Sequence, residues 1–228
     1  MSRRLRFIPE GGALVEVTCR TVHGRFLLRP GAELNEIVVG ILGRAQRTWE
    51  VKICAFAFLS NHYHLLLWVK DARELAGVMN LFNSKLAREV GRLTGWKEKI
   101  WSRRYQSIVV SSEEAAQVER LRYVLAHGCK EGLVERPGDW PGVHAVGALL
   151  EGTSLEGTWF DRTQECSARK RGEDFDRLKF ATSETVTLSP LPCWESLPPE
   201  AWRARIADLI VEIEATAAAE RSRTGVQP

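Results

Sequence analysis

The stretch Ala55-Phe56-Ala57-Phe58-Leu59-Ser60-Asn61-His62-Tyr63-His64-Leu65-Leu66-Leu67-Trp68-Val69 sets two imidazoles one residue apart inside an otherwise apolar run. Ser60-Asn61 interrupts that run, and Ser and Asn favour turns, so it reads as two buried strands joined by a tight turn. Strands joined so closely pair antiparallel. Side chains alternate along a strand, which puts His62 and His64 on one face and Tyr63 on the other. Neutral imidazole is a common metal ligand, and two at this spacing can take adjacent positions around one ion. The pair reads equally as hydrogen-bonded rings at a core edge, since polar rings in so apolar a region need partners either way.

Working outward, a basic start (Arg3, Arg4, Arg6) precedes the β-branched, alternating residues 13–20, which predict a first strand. Pro30-Gly31 breaks the chain, and Leu34, Ile37, Val38, Ile41, Leu42 and Ala45 then recur at helical spacing through about Trp49. Beyond the central pair, Asp71 can cap a helix whose stripe is Leu75, Val78, Met79, Phe82, Leu86 and Val90. A short strand over residues 106–110 follows. Ser111 or Ser112, with Glu113 or Glu114 beyond, resembles a helix start, and that helix runs on to Gly128. The order β-α-β-β-α-β-α predicts an α+β, ferredoxin-like antiparallel sheet with helices on one face.

Two further segments carry chemistry. Tyr123 and His127 are four apart on the third helix and so share a face, as a candidate nucleophile and a candidate third ligand. A core tyrosine and a histidine at a helix C-terminus, favoured by the dipole, would look the same. Residues 96–105 interleave Lys97, Lys99, Arg103 and Arg104 with Trp96, Trp101 and Tyr105. Cations bind phosphate and rings stack on bases, so this mixture suits single-stranded nucleic acid, or else a solvated loop anchored by two tryptophans.

The 228 residues, 44% hydrophobic and 27% charged, have an ordinary globular composition, and a net charge of +3 permits nucleic-acid binding without requiring it. Five scattered cysteines without a Cys-x-x-Cys pair point to neither a disulfide framework nor a standard zinc finger. No apolar run approaches the ~20 residues of a membrane span, and the N-terminus leads into no signal-peptide core. The expected location is cytoplasmic. Past about Leu150 the chain turns Gly-rich, then basic at Arg169-Lys170-Arg171, then Pro-rich at residues 189–194. It reads as a domain over 1–148 followed, over 149–228, by a linker and one amphipathic helix. That helix carries Trp202, Ile206, Leu209, Ile210 and Ile213 and is expected to dock on its own domain.

Three ordered motifs, Leu59-Ser60-Asn61-His62-Tyr63-His64-Leu65-Leu66, Ile100-Trp101-Ser102-Arg103-Arg104-Tyr105 and Leu121-Arg122-Tyr123-Val124-Leu125-Ala126-His127-Gly128-Cys129-Lys130-Glu131-Gly132-Leu133-Val134, resemble those of the single-tyrosine HUH transposases. The resemblance is to the REP-associated tyrosine transposase-like branch of the IS200-like transposases and covers most of residues 13–144. It implies a metal-dependent single-stranded DNA endonuclease and strand transferase working through a 5′-phosphotyrosine. Tyr123 would be the nucleophile, and His62, His64 and His127 would hold Mg²⁺ or Mn²⁺. The implied partner is single-stranded DNA with hairpin-forming repeat ends, bound by a monomer or homodimer. Many relatives carry Asn-Pro where this chain has His127-Gly128, a departure expected to retune the ion preference. Two other readings compete: a domesticated, non-catalytic nucleic-acid-binding protein of the same fold, and a structural zinc site made by His62, His64, His127 and Cys129.

Overall fold

Four strands, Ala13–Arg20 (β1), Lys52–Phe58 (β2), His62–Val69 (β3) and Gln106–Val109 (β4), the central ones near-continuous apolar runs, build one antiparallel sheet in the order β2-β3-β1-β4. This is the strand order of the expected ferredoxin-like fold. The computed structural model describes residues 4–172, 176–225 and 227–228, so Arg3 of the basic start lies outside the described residues. In the sheet, Thr18 pairs with His64 and Glu16 with Leu66, which places Glu16, Thr18 and both histidines on one face. Tyr63 and Leu65 occupy the other face and are fully buried.

That second face is covered by helices α1 (Ala32–Trp49) and α2 (Ala72–Thr94). Asp71 caps α2 as its sequence predicts, accepting from the N–H groups of Arg73 and Glu74 at 2.7 and 2.8 Å. Phe82 of α2 meets the Tyr63 ring edge-on at 5.4 Å, and Asn83 accepts the Tyr63 hydroxyl at 2.6 Å. The third helix, α3 (Glu114–Leu125), lies on the opposite face, beside the histidines. It starts from Glu113 without a side-chain cap, and the Ser111 hydroxyl accepts only the Glu113 N–H. Helical geometry ends at Ala126, and Gly128 turns the chain with φ of 93°. His127 therefore sits in the turn after the helix, two residues past Leu125.

The segment read as a linker is folded, which corrects that reading. After α4 (Val146–Glu151), strands β5 (Leu155–Phe160) and β6 (Ala181–Val186) form a second, two-stranded antiparallel sheet, with α5 (Arg162–Lys170) between them. This sheet packs on α1 at a stripe with no side chains. A Cβ on Gly40 would overlap the Thr158 backbone, and one on Gly43 would stand 2.8 Å from the Thr185 carbonyl oxygen. Arg44 and Arg47 of α1 fix it further, at 3.0 and 2.7 Å from the buried Glu184 carboxylate. Arg162 ties α5 to Glu89 of α2. The last helix, α6 (Pro199–Thr224), buries Trp202, Ile206, Leu209, Ile210 and Ile213 against the rest of the chain, as expected of its apolar stripe. Among the described residues no helix is long and apolar enough to cross a membrane.

Candidate active site

Strand β3 delivers His62 and His64 to the face that α3 covers, and the turn after α3 brings His127 onto them. One potential ligand atom from each of the three lies within 4.8 Å of the others, the only such His/Cys/Asp/Glu group among the described residues. Ring centroids stand 5.2 Å apart for His62 and His64, 5.9 Å for His62 and His127, and 4.0 Å for His64 and His127. Cys129 is not in the group and faces a separate cleft against α6, so the four-ligand zinc reading loses its thiolate.

Each ring has a partner on Nδ1. His62 Nδ1 is 2.6 Å from Asn61 Oδ1, His64 Nδ1 is 2.6 Å from Glu16 Oε1, and His127 Nδ1 is 3.1 Å from the Val124 carbonyl. A ring that donates from Nδ1 leaves Nε2 as its lone-pair nitrogen, and metal-binding histidines are generally fixed in this way. The donor set therefore fits a divalent ion. Burial, with the neighbouring His64 and Lys130, lowers the pKa of His127 to about 2. Burial, His64 and Arg20 lower that of His62 to about 4. Both rings are neutral at pH 7, as ligation requires.

The sheet face and the turn enclose a cleft of about 540 Å³. Besides the triad it is lined by Thr18, Arg20, Arg103, Arg104, Tyr123 and Lys130. Of the three tyrosines, Tyr63 is fully buried and Tyr105 is 6% exposed, whereas Tyr123 is 39% exposed. The Tyr123 ring stands edge-on to His64 at 5.6 Å and to His127 at 5.0 Å. Cations gather around it, with Lys130 Nζ 3.5 Å and Arg120 Cζ 5.5 Å from the ring centroid.

The aromatic and basic segment divides. Arg103 and Arg104 reach the cleft, and Lys99 lines a neighbouring one of about 630 Å³ that shares both arginines. Lys97 is exposed and lines neither cleft. Trp101 is half-buried on Tyr63 and gives its indole N–H to the Asn83 carbonyl at 2.9 Å, the anchoring role that its ring also allowed. Trp96 bonds the Lys99 carbonyl at 3.3 Å and lies under Arg25.

The residue list read from sequence omits Glu16, Asn61, Arg120 and Lys130. Glu16 did leave a signal: it is the one carboxylate inside the apolar run of β1, and such a group is buried there only with partners.

Fold and site together define an α+β protein with a three-imidazole cluster and one accessible tyrosine beside it. Residues 28–125 match the family described as Transposase IS200 like. The match takes in His62, His64 and Tyr123 and stops before His127. A solved REP-associated tyrosine transposase bound to a REP hairpin superposes with a TM-score of 0.50 at 16% identity, over 66% of this chain and 86% of that one. At that identity the likeness speaks for the fold. A candidate transposase from Deinococcus radiodurans R1 is also similar, with a TM-score of 0.37 and 16% identity over 53% of this chain and 95% of that one. No curated protein matches the sequence.

Proposed function

We propose that this protein cuts and rejoins single-stranded DNA through a covalent 5′-phosphotyrosine on Tyr123. The observation that carries the reading is the meeting, in one basic cleft, of the exposed Tyr123 with three imidazoles whose Nδ1 atoms are already engaged. Residues 1–148 would form the catalytic unit, with 149–228 buttressing it through α1, α2 and α3.

The Tyr123 oxygen attacks phosphorus and gives up its proton as it does so, because a phenol is a weak nucleophile until deprotonated. The phosphorus to O3′ bond breaks, and the departing strand leaves as a 3′-hydroxyl. The covalent bond keeps the phosphodiester energy, so a 3′-hydroxyl can reverse the step and reseal without ATP. Arg120 and Lys130 bring positive charge beside the attacking ring, and Arg103 and Arg104 hold the strand by its phosphates. A divalent ion held by His62, His64 and His127 would neutralise charge developing on a phosphodiester oxygen. Of Mg²⁺ and Mn²⁺, the three-nitrogen donor set favours Mn²⁺, since Mg²⁺ prefers oxygen ligands. The REP hairpin held by the similar solved transposase makes hairpin-ended single strands the first substrates to try.

The test is a 3′-labelled hairpin oligonucleotide incubated with Mn²⁺ or Mg²⁺ and run on a denaturing gel. Wild type is expected to retain label on the protein, and Tyr123→Phe to bind DNA and ion without retaining any. Label trapped by Tyr123→Phe, or free hydrolysed ends alone from wild type, would sink the assignment. Binding with no cutting under any divalent ion would favour the non-catalytic reading.

A further inference from the structure

Glu16 is a carboxylate at 3% exposure on the middle of the sheet face, where an isolated charge would be costly. Each oxygen is taken by a different partner. Oε1 lies 2.6 Å from His64 Nδ1, and Oε2 accepts from Arg120 Nη1 at 2.6 Å. Arg120 belongs to α3, three residues before Tyr123, and its guanidinium also lies over the Tyr123 ring. One buried side chain thus joins a candidate ligand on β3 to the helix that carries the candidate nucleophile.

We propose that Glu16 is a positioning residue: by accepting on both oxygens it holds His64 with its proton on Nδ1 and Nε2 free, and ties that choice to α3 through Arg120. This rests on the metal reading of the histidine cluster. Arg120 can only donate, so the salt bridge at 2.6 Å fixes Oε2 as an acceptor and leaves Oε1 to His64 Nδ1.

The proposal makes a demand that packing alone does not. An ionised Glu only accepts, Arg only donates, and a Gln amide has one oxygen and one NH₂. In Glu16→Gln the amide oxygen must turn to the guanidinium, since a donor cannot face a donor. The NH₂ then points at His64 Nδ1, which has to become the acceptor. The ring proton moves to Nε2, the nitrogen that the ion needs. Removing the guanidinium releases the amide to rotate, so that its oxygen again accepts from Nδ1.

The experiment reads the His64 tautomer by ¹⁵N–¹H long-range correlation on the metal-free protein, and Mn²⁺ affinity by titration. Glu16→Gln should shift His64 to the Nε2–H form and weaken Mn²⁺ by roughly 10–100-fold, the usual cost of an altered outer-shell partner. Glu16→Gln with Arg120→Met should restore the Nδ1–H form and regain much of the affinity. A merely structural role predicts the opposite, a double variant worse than either single one, and that result would overturn the proposal. So would an unchanged His64 tautomer in Glu16→Gln. Should Glu16→Gln fail to fold, Glu16→Asp decides: its shorter carboxylate cannot span both partners, so a mixed His64 tautomer and weaker Mn²⁺ binding support the proposal, and a tautomer and Mn²⁺ affinity equal to wild type overturn it. Wild type failing to take up Mn²⁺ would count against the metal reading, while the metal-free tautomer tests Glu16 separately.

Discussion

The Tyr123 ring stands perpendicular to that of His127, with centroids 5.0 Å apart, although His127 lies past the end of the helix that carries Tyr123. Helical spacing alone would set the two one turn apart; the turn after Ala126 pulls the imidazole back, with Nδ1 on the Val124 carbonyl. The break in the helix sets how the two rings meet.

On the proposed reading, His127→Ala would remove a ligand rather than its support. Mn²⁺ affinity should fall by more than the roughly 10–100-fold typical of an outer-shell change. Calorimetric titration measures it, and an unchanged isotherm would take His127 out of the site.

Arg103 and Arg104 border both clefts, so replacing the two by Ala should weaken single-strand binding and flatten its salt dependence. Each phosphate contact contributes about 0.7 to the slope of log affinity against log salt on single strands. A slope unchanged between wild type and the double variant would place the strand elsewhere.

Gly40→Ala tests how the second sheet is held. Alanine is the better helix former by about 1 kcal/mol, but its methyl would overlap the Thr158 backbone. Overpacking typically costs about 1–3 kcal/mol, so net destabilisation is expected in urea unfolding, with protease cleavage appearing first between β5 and β6. A stabilised variant would show that the contact yields easily.

The metal-free protein should lose stability as pH falls from about 6.5 towards 4. His144 is half-buried, accepts the Val146 N–H on Nδ1 and has a buried Nε2 without a partner, and desolvation depresses its pKa to about 4. Between that value and the unfolded 6.5 the unfolded chain binds more protons, so stability rises with pH across the window and is intact above it. His62 and His127 act in the same sense. Glu16 and Glu184, whose pKa values are lowered in the fold, lose their contributions only at more acid pH. Urea unfolding at pH 7, 5.5 and 4.5 reads this, and His144→Leu should shrink the difference between pH 7 and 5.5; an unchanged difference would acquit His144.

Local patterning determined much of this molecule. Alternation marked the first strand and an apolar run broken by Ser60-Asn61 the central pair, and two-residue periodicity put His62 and His64 on one face and Tyr63 on the other, because it is a property of the strand itself. Asp71 marked the start of α2 and the apolar stripe of α6 its docking, for equally local reasons. What the sequence did not reveal depends on partners distant in the chain. The strands β5 and β6, Leu-Glu-Gly-Thr-Trp-Phe and Ala-Thr-Ser-Glu-Thr-Val, are too polar and Gly-interrupted to read as strands alone. They are held by a glycine stripe on α1 and by Arg44 and Arg47, more than a hundred residues earlier. Trp101 could be read as stacking platform or anchor until Tyr63 and Asn83 arrived beside it. Above all, Glu16 and Arg120 are 104 residues apart and meet only when β1 pairs with β3 and α3 closes over that face. A hydrogen bond between side chains leaves no periodicity in either segment, so tertiary structure alone decides which nitrogen of His64 remains free.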